Sequence, residues 1–434
     1  MTYQPLHLKY RPQSFAQLVG QQAIATTLTN AITSKRIAPA YLFTGPRGTG
    51  KTSSARILAK SLNCQHGDSS TPEPCGQCDS CSAIASGLSL DVVEIDAASN
   101  SGVENIRQII DRVYVAPVNS RYKVYVLDEV HSLSSQAFQA LLKTLEEPPR
   151  NVVFVLCTTE VHKVPTTIAS RCQRFDFKRI GVDDMVKHLN YIISEEIIDI
   201  TPEALLLVAQ MSSGCLRDAE CLLDQLSLLN TTITPNWVWE LAGTVPEYEL
   251  LTLVERIQEN NSDAVIAIIR NLLEWGKEPL VILQNLTSFL RDMLIAKTSP
   301  NNQKMVTLTE DTWKELCEIT KNWDSTTILL AQQHLRQSEV QVKLSTQPQL
   351  WLEVIILGLL PSANCTTPAT FIPMRDNPPW TNWKTPGDAI AWAQEQLPQM
   401  SIESLQQQWN SLTPINGKKA PAWVEMVGQL IASR

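Results

Sequence analysis

The eight residues GPRGTGKT, Gly45 to Thr52, stand between the apolar run AYLF and the segment SSARILAKSL, whose apolar residues recur at helical spacing. Few short patterns constrain a fold as tightly. Glycines at Gly45, Gly48 and Gly50 let the backbone turn sharply enough to aim several N–H groups at phosphate oxygens. A helix beginning near Lys51 adds the partial positive charge of its first turn. Pro46, Arg47 and Thr49 complete the loop. Lys51 then neutralises the β- and γ-phosphates, and the Thr52 hydroxyl ligates Mg²⁺. A strand–loop–helix unit of this kind predicts an α/β domain with a parallel sheet.

The surrounding pattern agrees. AYLFTG, DVVEIDA, KVYVLDE and NVVFVLCTT read as buried parallel strands, and KTSSARILAKSL, GVENIRQIIDRVY and SSQAFQALLKTLEE read as helices. In KVYVLDEVH, apolar and aromatic residues deliver Asp128 and Glu129 to the carboxyl end of a strand, where a parallel sheet opens onto its ligand crevice. Asp128 is read as a second Mg²⁺ holder and Glu129 as the carboxylate that polarises the attacking water. LCTTE ends another strand at Thr158 and Thr159, whose hydroxyls suit the γ-phosphate or that water. ASRCQRF puts Arg171 at the edge of the sheet domain, and GCLRDAE puts Arg217 at a helix start. A planar guanidinium suits bidentate phosphate contact, although such an arginine is often only a surface residue.

Four of the ten cysteines, Cys64, Cys75, Cys78 and Cys81, fall in CQHGDSSTPEPCGQCDSC. That loop is polar and rich in Pro and Gly, so hydrophobic burial cannot order it. Four thiolates around Zn²⁺ can, and they leave no open position for catalysis. His66 is read as a solvated loop residue. Cys157, Cys172, Cys215, Cys221, Cys317 and Cys365 read as small apolar residues.

The chain has 434 residues, enough for two to four domains. It has no run of ~18 apolar residues and no signal-peptide pattern, so a cytoplasmic protein with reduced cysteines and no membrane contact is expected. A net charge of −8 argues against a broad basic surface wrapping nucleic acid, though not against a local basic site. Residues 1–180 read as the α/β domain, with the zinc module at 64–81. Residues 181–242 and 243–361 read as two all-helical domains, and Thr201-Pro202 makes a good helix start. A Pro-, Thr- and Asn-rich linker spans 362–388. A small helical tail, 389–434, follows it. Five of the 11 tryptophans lie at 380, 383, 392, 409 and 423. They read as the core of that tail, with a partner-binding or strand-stacking surface as the other reading.

The ordered set YRPQSFAQLVGQ, GPRGTGKTS, CGQCDSC, EIDAASN, VYVLDEVHSLS, ALLKTLEEPP, TTIASRCQRFDF and SGCLRDAE closely resembles the gamma/tau family of the bacterial DNA polymerase III clamp loader. The resemblance covers roughly residues 5 to 360. It implies an AAA+ ATPase domain, a helical lid (181–242) and a helical collar (243–361) through which subunits assemble. It implies ATP-driven loading of a sliding clamp at primer–template DNA, in a complex with delta- and delta-prime-type subunits and a polymerase subunit. The ATPase would then act within the DNA polymerase III holoenzyme, whose own reaction is nucleotidyl transfer by a DNA-directed DNA polymerase. Position by position, Tyr10, Arg11, Pro12, Val19 and Gly20 match the adenine-side box. Gly45 to Thr52 matches Walker A, and Asp128 and Glu129 match Walker B. Thr158 or Thr159 matches the first sensor. Arg171 matches the finger that reaches a neighbouring subunit's ATP, and Arg217 the second sensor, in cis. Cys215 departs from a common serine. The chain beyond the collar matches nothing recognised in the family. Two rival readings remain: a scaffold that binds ATP without hydrolysing it, and another AAA+ ATPase of DNA metabolism. Intact Lys51, Thr52, Asp128 and Glu129 weigh against the first, and the four-cysteine cluster with the collar-like region against the second.

Overall fold

The computed structural model describes residues 3–363, except 230, 301–305 and 307. The expected linker from 364 onward and the tail at 389–434 lie outside the described residues, as do Cys365 and the five tryptophans.

Five parallel strands form one sheet: β1 Ala40–Thr44, β2 Val92–Asp96, β3 Lys123–Asp128, β4 Val152–Thr158 and β5 Gln173–Asp176. Their order is β2-β3-β4-β1-β5. Every residue of β1 and β4 is buried, because helices cover both faces of the sheet centre and leave no polar side. Two strands differ from the sequence reading. β2 is an edge strand whose residues are only partly buried or exposed. β5 is not among the expected strands. It has four residues, of which Phe175 alone is buried, too short and too polar to announce itself.

Side chains alternate between the two faces, as the pleat requires. Tyr41, Phe43, Val124, Val126, Val153 and Val155 pack with helices Gln22–Thr33 and Lys51–Asn63 through Leu28, Ile32, Leu58 and Leu62. Leu42, Tyr125, Leu127, Phe154 and Leu156 face the other way, onto Ile106 of helix Val103–Val113 and Phe138, Leu141 and Leu145 of helix Ser135–Glu146.

A separate core follows the sheet. Met185, Leu189 and Ile192 of helix Val182–Glu196 meet Leu205 and Val208 of helix Pro202–Met211, Leu223 of helix Leu216–Leu226 and Val238 of helix Pro235–Leu241. Thr201 caps the second of these helices by accepting from Ala204 N at 3.3 Å, with Pro202 in the first turn. One isolated parallel bridge, Ile200 with Ile233, interrupts the helical pattern. Leu6, from the N-terminal helix Leu6–Lys9, also joins this core. A further all-helical core runs from Val245 to Leu360 and is centred on helices Pro279–Thr298 and Ser325–Leu344. Among the described residues, no helix is long and apolar enough to cross a membrane.

Candidate functional site

Register sets the site. Thr44 lies opposite Thr158, and Asp96 opposite Asp128, so the carboxyl ends of the central strands finish on one edge of the sheet. Gly45 leaves β1 with φ +141°, and its N–H donates to Thr158 O at 3.2 Å. Lys51, 6% exposed, donates through Nζ to the carbonyls of Gly45 (2.8 Å) and Pro46 (2.7 Å). Burial lowers its pKa, and the carboxylates of Glu129 and Asp128 oppose that shift.

The Thr52 hydroxyl donates to Asp128 Oδ2 at 2.6 Å, and Asp128 Oδ1 accepts from Glu129 N at 2.9 Å. Glu129 itself sits in the left-handed region, φ 49°, a conformation that costs a non-glycine residue roughly 1 kcal/mol or more. The turn swings its side chain out of the strand line, where Oε2 accepts from Thr159 Oγ1 at 3.1 Å. Sequence reasoning missed His131. Its Nδ1 is 3.1 Å from Thr158 Oγ1 and 3.3 Å from Glu129 Oε2, and its Nε2 is 3.4 Å from Glu160 Oε1. The imidazole therefore ties the end of β4 to the Asp-Glu pair.

The helical unit beyond the sheet closes the cleft. Leu216 N donates to Gly48 O at 3.1 Å. Gly48 has φ +67°, and a Cβ there would lie 2.1 Å from Cys215 Sγ, so only glycine permits this approach. Arg11, Pro12, Val19, Arg47 to Thr52, Asp128, Glu129 and Arg217 line one cleft of about 180 Å³. Burial lowers the pKa of Arg11. The other expected residues lie elsewhere. Gly45 and Pro46 serve through their carbonyls, and Thr158 and Thr159 reach the cleft through His131 and Glu129. Gly20 packs against Ile180. Tyr10 turns to the helical unit, where its hydroxyl bonds Glu196 and its ring meets Tyr191 edge-on at 6.0 Å. Arg171 does not line the cleft. It pairs with Glu146 Oε1 at 2.6 Å and donates to Thr167 O at 2.7 Å.

His7, Gln17, Leu18, Ile180, His188, Leu216 and Glu220 also line the cleft without having been singled out. They come from the N-terminal segment and the helical unit, and nothing in their local spacing marks them.

The cysteine loop forms a second candidate site. The sulfurs of Cys64, Cys75, Cys78 and Cys81 all lie within 4.8 Å of one another. In a tetrahedral site with Zn–S near 2.3 Å, sulfurs are about 3.8 Å apart, so little movement separates this cluster from a metal shell. Backbone N–H groups of Cys75, Cys78 and Cys81 point at the sulfurs of Cys64, Cys75 and Cys78, each at 3.4 Å. N–H groups of Gln77 and Cys78 pull the Cys75 thiol down to about 6, whereas burial pushes Cys81 up. The Arg121 guanidinium donates to the carbonyls of Cys64 and Gly67 and pins the loop to the sheet domain. His66 is exposed and is not among the grouped donors.

These geometries are those of a P-loop nucleotide fold with a metal-ready cysteine module. Comparison with known proteins agrees. Residues 20–181 match the family described as DNA polymerase III, delta subunit. Residues 184–226 match the DNA polymerase III clamp loader subunit, ATPase lid domain, and residues 233–373 match DNA polymerase III subunits gamma and tau domain III. The chain is 38% identical to DNA polymerase III subunit gamma of Buchnera aphidicola over 83% of its own length and 99% of that protein's. It is 40% identical to subunit tau of Bacillus subtilis and 44% identical to subunit tau of Escherichia coli, over 83% and 69% of its own length. The chain belongs to the DNA polymerase III gamma/tau family. It spans 63% of the B. subtilis relative and 46% of the E. coli one.

The contact between Gly48 and Cys215 generates a prediction. Gly48→Ala should cost about 2 kcal/mol or more in chemical denaturation, through overpacking and the left-handed φ. Removing the sulfur as well, in Gly48→Ala/Cys215→Ala, should recover at least about 0.5 kcal/mol of the summed losses. Strictly additive losses would show that the helical unit does not press on the loop.

Proposed function

We propose that this chain is the ATP-hydrolysing motor subunit of a DNA polymerase III clamp loader, a cytoplasmic complex that loads the sliding clamp onto primer–template DNA. The supporting observation is that one cleft gathers Lys51, Thr52, Asp128 and Glu129 at the sheet edge and Arg217 from the following helical unit, in a member of the gamma/tau family. Partners on this reading are delta- and delta-prime-type subunits, further copies of the chain through residues 243–361, the clamp, DNA and a polymerase subunit. Nucleotidyl transfer belongs to the holoenzyme and is not assigned to this chain. The proposed division falls at 180/181 and 242/243, close to where the cores separate, with Leu6 and Ile180 packing in the second core.

The roles follow from the chemistry. The N–H groups of Arg47 to Thr52 and the first turn of helix Lys51–Asn63 bind phosphate, and the Lys51 ammonium balances its charge. Thr52 and Asp128, whose oxygens already meet at 2.6 Å, make a hard-oxygen donor pair that suits Mg²⁺. The metal supplies neutralisation of phosphate charge. Glu129, oriented by Thr159 and His131, takes the proton from the attacking water. Arg217 steadies the chain's own nucleotide. Arg171 lies outside its own cleft and is suited to a neighbour's. Cys64, Cys75, Cys78 and Cys81 hold structural Zn²⁺.

Lys51→Ala should abolish ATP binding, and Glu129→Gln should bind ATP and lose turnover, because an amide keeps the shape without the basicity. Equal loss of binding in both, by equilibrium titration, would overturn this division of roles. A scaffold that never hydrolyses ATP would show no DNA-stimulated turnover even in the unmodified chain.

One Zn²⁺ per chain should copurify, measured by elemental analysis under reducing conditions. Cys78→Ser should release it and loosen 64–81, shown by faster proteolysis there. Native protein without metal would contradict the assignment.

Arg171→Ala should leave ATP affinity of the isolated chain unchanged and lower the stimulated turnover of the assembled complex by roughly 10³-fold. Mixing Arg171→Ala with Lys51→Ala chains should restore part of the activity, since one interface then pairs an intact finger with an intact loop. Mixed complexes no better than either variant alone would mean that Arg171 acts within its own chain.

A further inference from the structure

A hydrogen-bonded histidine–glutamate pair lines the nucleotide cleft and has no role in the chemistry above. His188, on helix Val182–Glu196, and Glu220, on helix Leu216–Leu226, meet with Nε2 2.9 Å from Oε1. Glu220 is 5% exposed. A carboxylate so deeply placed is costly unless its oxygens are matched by donors. His188 serves Oε1. Among the described residues no hydrogen bond reaches Oε2, and both side chains border the cleft.

The helix carrying Glu220 gives the direction. It begins at the phosphate loop, where Leu216 N bonds Gly48 O. Arg217 occupies its first turn, and Glu220 lies three residues on, a rise of about 4.5 Å away from the loop. Val19, Ile180 and Leu216 give the same cleft apolar side chains. Lys51, Thr52 and Asp128 line the cleft where the phosphate loop meets the sheet edge. A charged triphosphate fits the loop, and a flat base fits the apolar side chains.

We propose that Glu220, held by His188, is the residue that selects adenine. This rests on the nucleotide reading of the cleft. A carboxylate only accepts hydrogen bonds. Oε2 would accept from the exocyclic N6 amine of adenine. Guanine carries a carbonyl oxygen at the corresponding position, so the same oxygen would repel it. His188 fixes the carboxylate's rotation and is a positioning residue.

The test is equilibrium binding of three triphosphates, ATP, GTP and purine riboside triphosphate, to the full chain with Mg²⁺. Purine riboside lacks the amine and adds no carbonyl. The unmodified chain should bind ATP roughly ten- to hundred-fold more tightly than either analogue. Glu220→Leu should bring all three affinities to within about three-fold, since attraction and repulsion go together. Glu220→Gln, whose amide offers either a donor or an acceptor, should bind ATP and GTP about equally. His188→Gln keeps a donor to Glu220 and should retain most of the selectivity. A loosened helical unit would weaken the three ligands alike and leave their ratios unchanged. Unchanged ratios in both Glu220 variants, or an unmodified chain that does not distinguish ATP from purine riboside triphosphate, would overturn the proposal. An unmodified chain that binds none of the three would overturn the nucleotide reading and this inference with it.

Discussion

The parallel pairing of β1 with β4, in register from Ala40 opposite Phe154 to Thr44 opposite Thr158, is the constraint on which the site depends. One residue of slip would turn Leu42 and Phe43 to the wrong faces and uncouple Gly45 from Thr158 O. The register is fixed because both faces are buried and each demands its own side chains. Everything chemical then hangs from strand ends. The phosphate loop follows β1, the Asp-Glu pair ends β3, and the two threonines end β4. Their mutual distances are set by strand spacing, which hydrogen bonding makes nearly invariant. That rigid edge lets Thr52 meet Asp128 at 2.6 Å from 76 residues away.

The sheet alone does not enclose the cleft. Its second wall is the helical unit, joined to the sheet by several contacts, two of which bear directly on the cleft. One is the close approach of Cys215 to Gly48. The other is the N-terminal segment, which gives Leu6 to the helical core and Lys9 and Tyr10 to Glu196, while Arg11 and Pro12 border the cleft. Movement of the helical unit would therefore be felt both by the phosphate loop and by Arg11 and Pro12. On the proposed function, these contacts would couple the helical unit to the nucleotide. The N-terminal segment meets both the helical core and the cleft, through Leu6 and through Arg11 and Pro12.

The cysteine loop solves a different problem. It is too polar to collapse onto a core, so its order rests on directed bonds: N–H groups aimed at sulfur, and Arg121 on two carbonyls. The four sulfurs of this loop all come from one short stretch, so a local sequence motif can encode them.

That difference in range separates what could be read from what could not. GPRGTGKT, VLDE and the four cysteines are local patterns, and the chemistry of each follows from residue type and spacing within a few turns of chain. The central strands were legible because burial on both faces forces continuous apolar runs. β5 was not, because an edge strand needs only one buried residue, Phe175. His131 lay in plain view beside Asp128 and Glu129, but its value comes from Thr158 and Glu160 on the neighbouring strand end. Tyr10 matched a nucleotide-side motif and instead faces Glu196. Arg171 matched a finger motif and is held by Glu146 on another helix. His188 and Glu220 are 32 residues apart and meet only when two helices pack. Neighbours along the chain suffice for the glycine-rich loop, the spacing of the four cysteines and the alternation that builds the sheet, so the sequence alone decides those. Tertiary structure alone decided which distant side chains share the cleft and which turn away, because helix packing sets those meetings and leaves no periodic mark in the sequence.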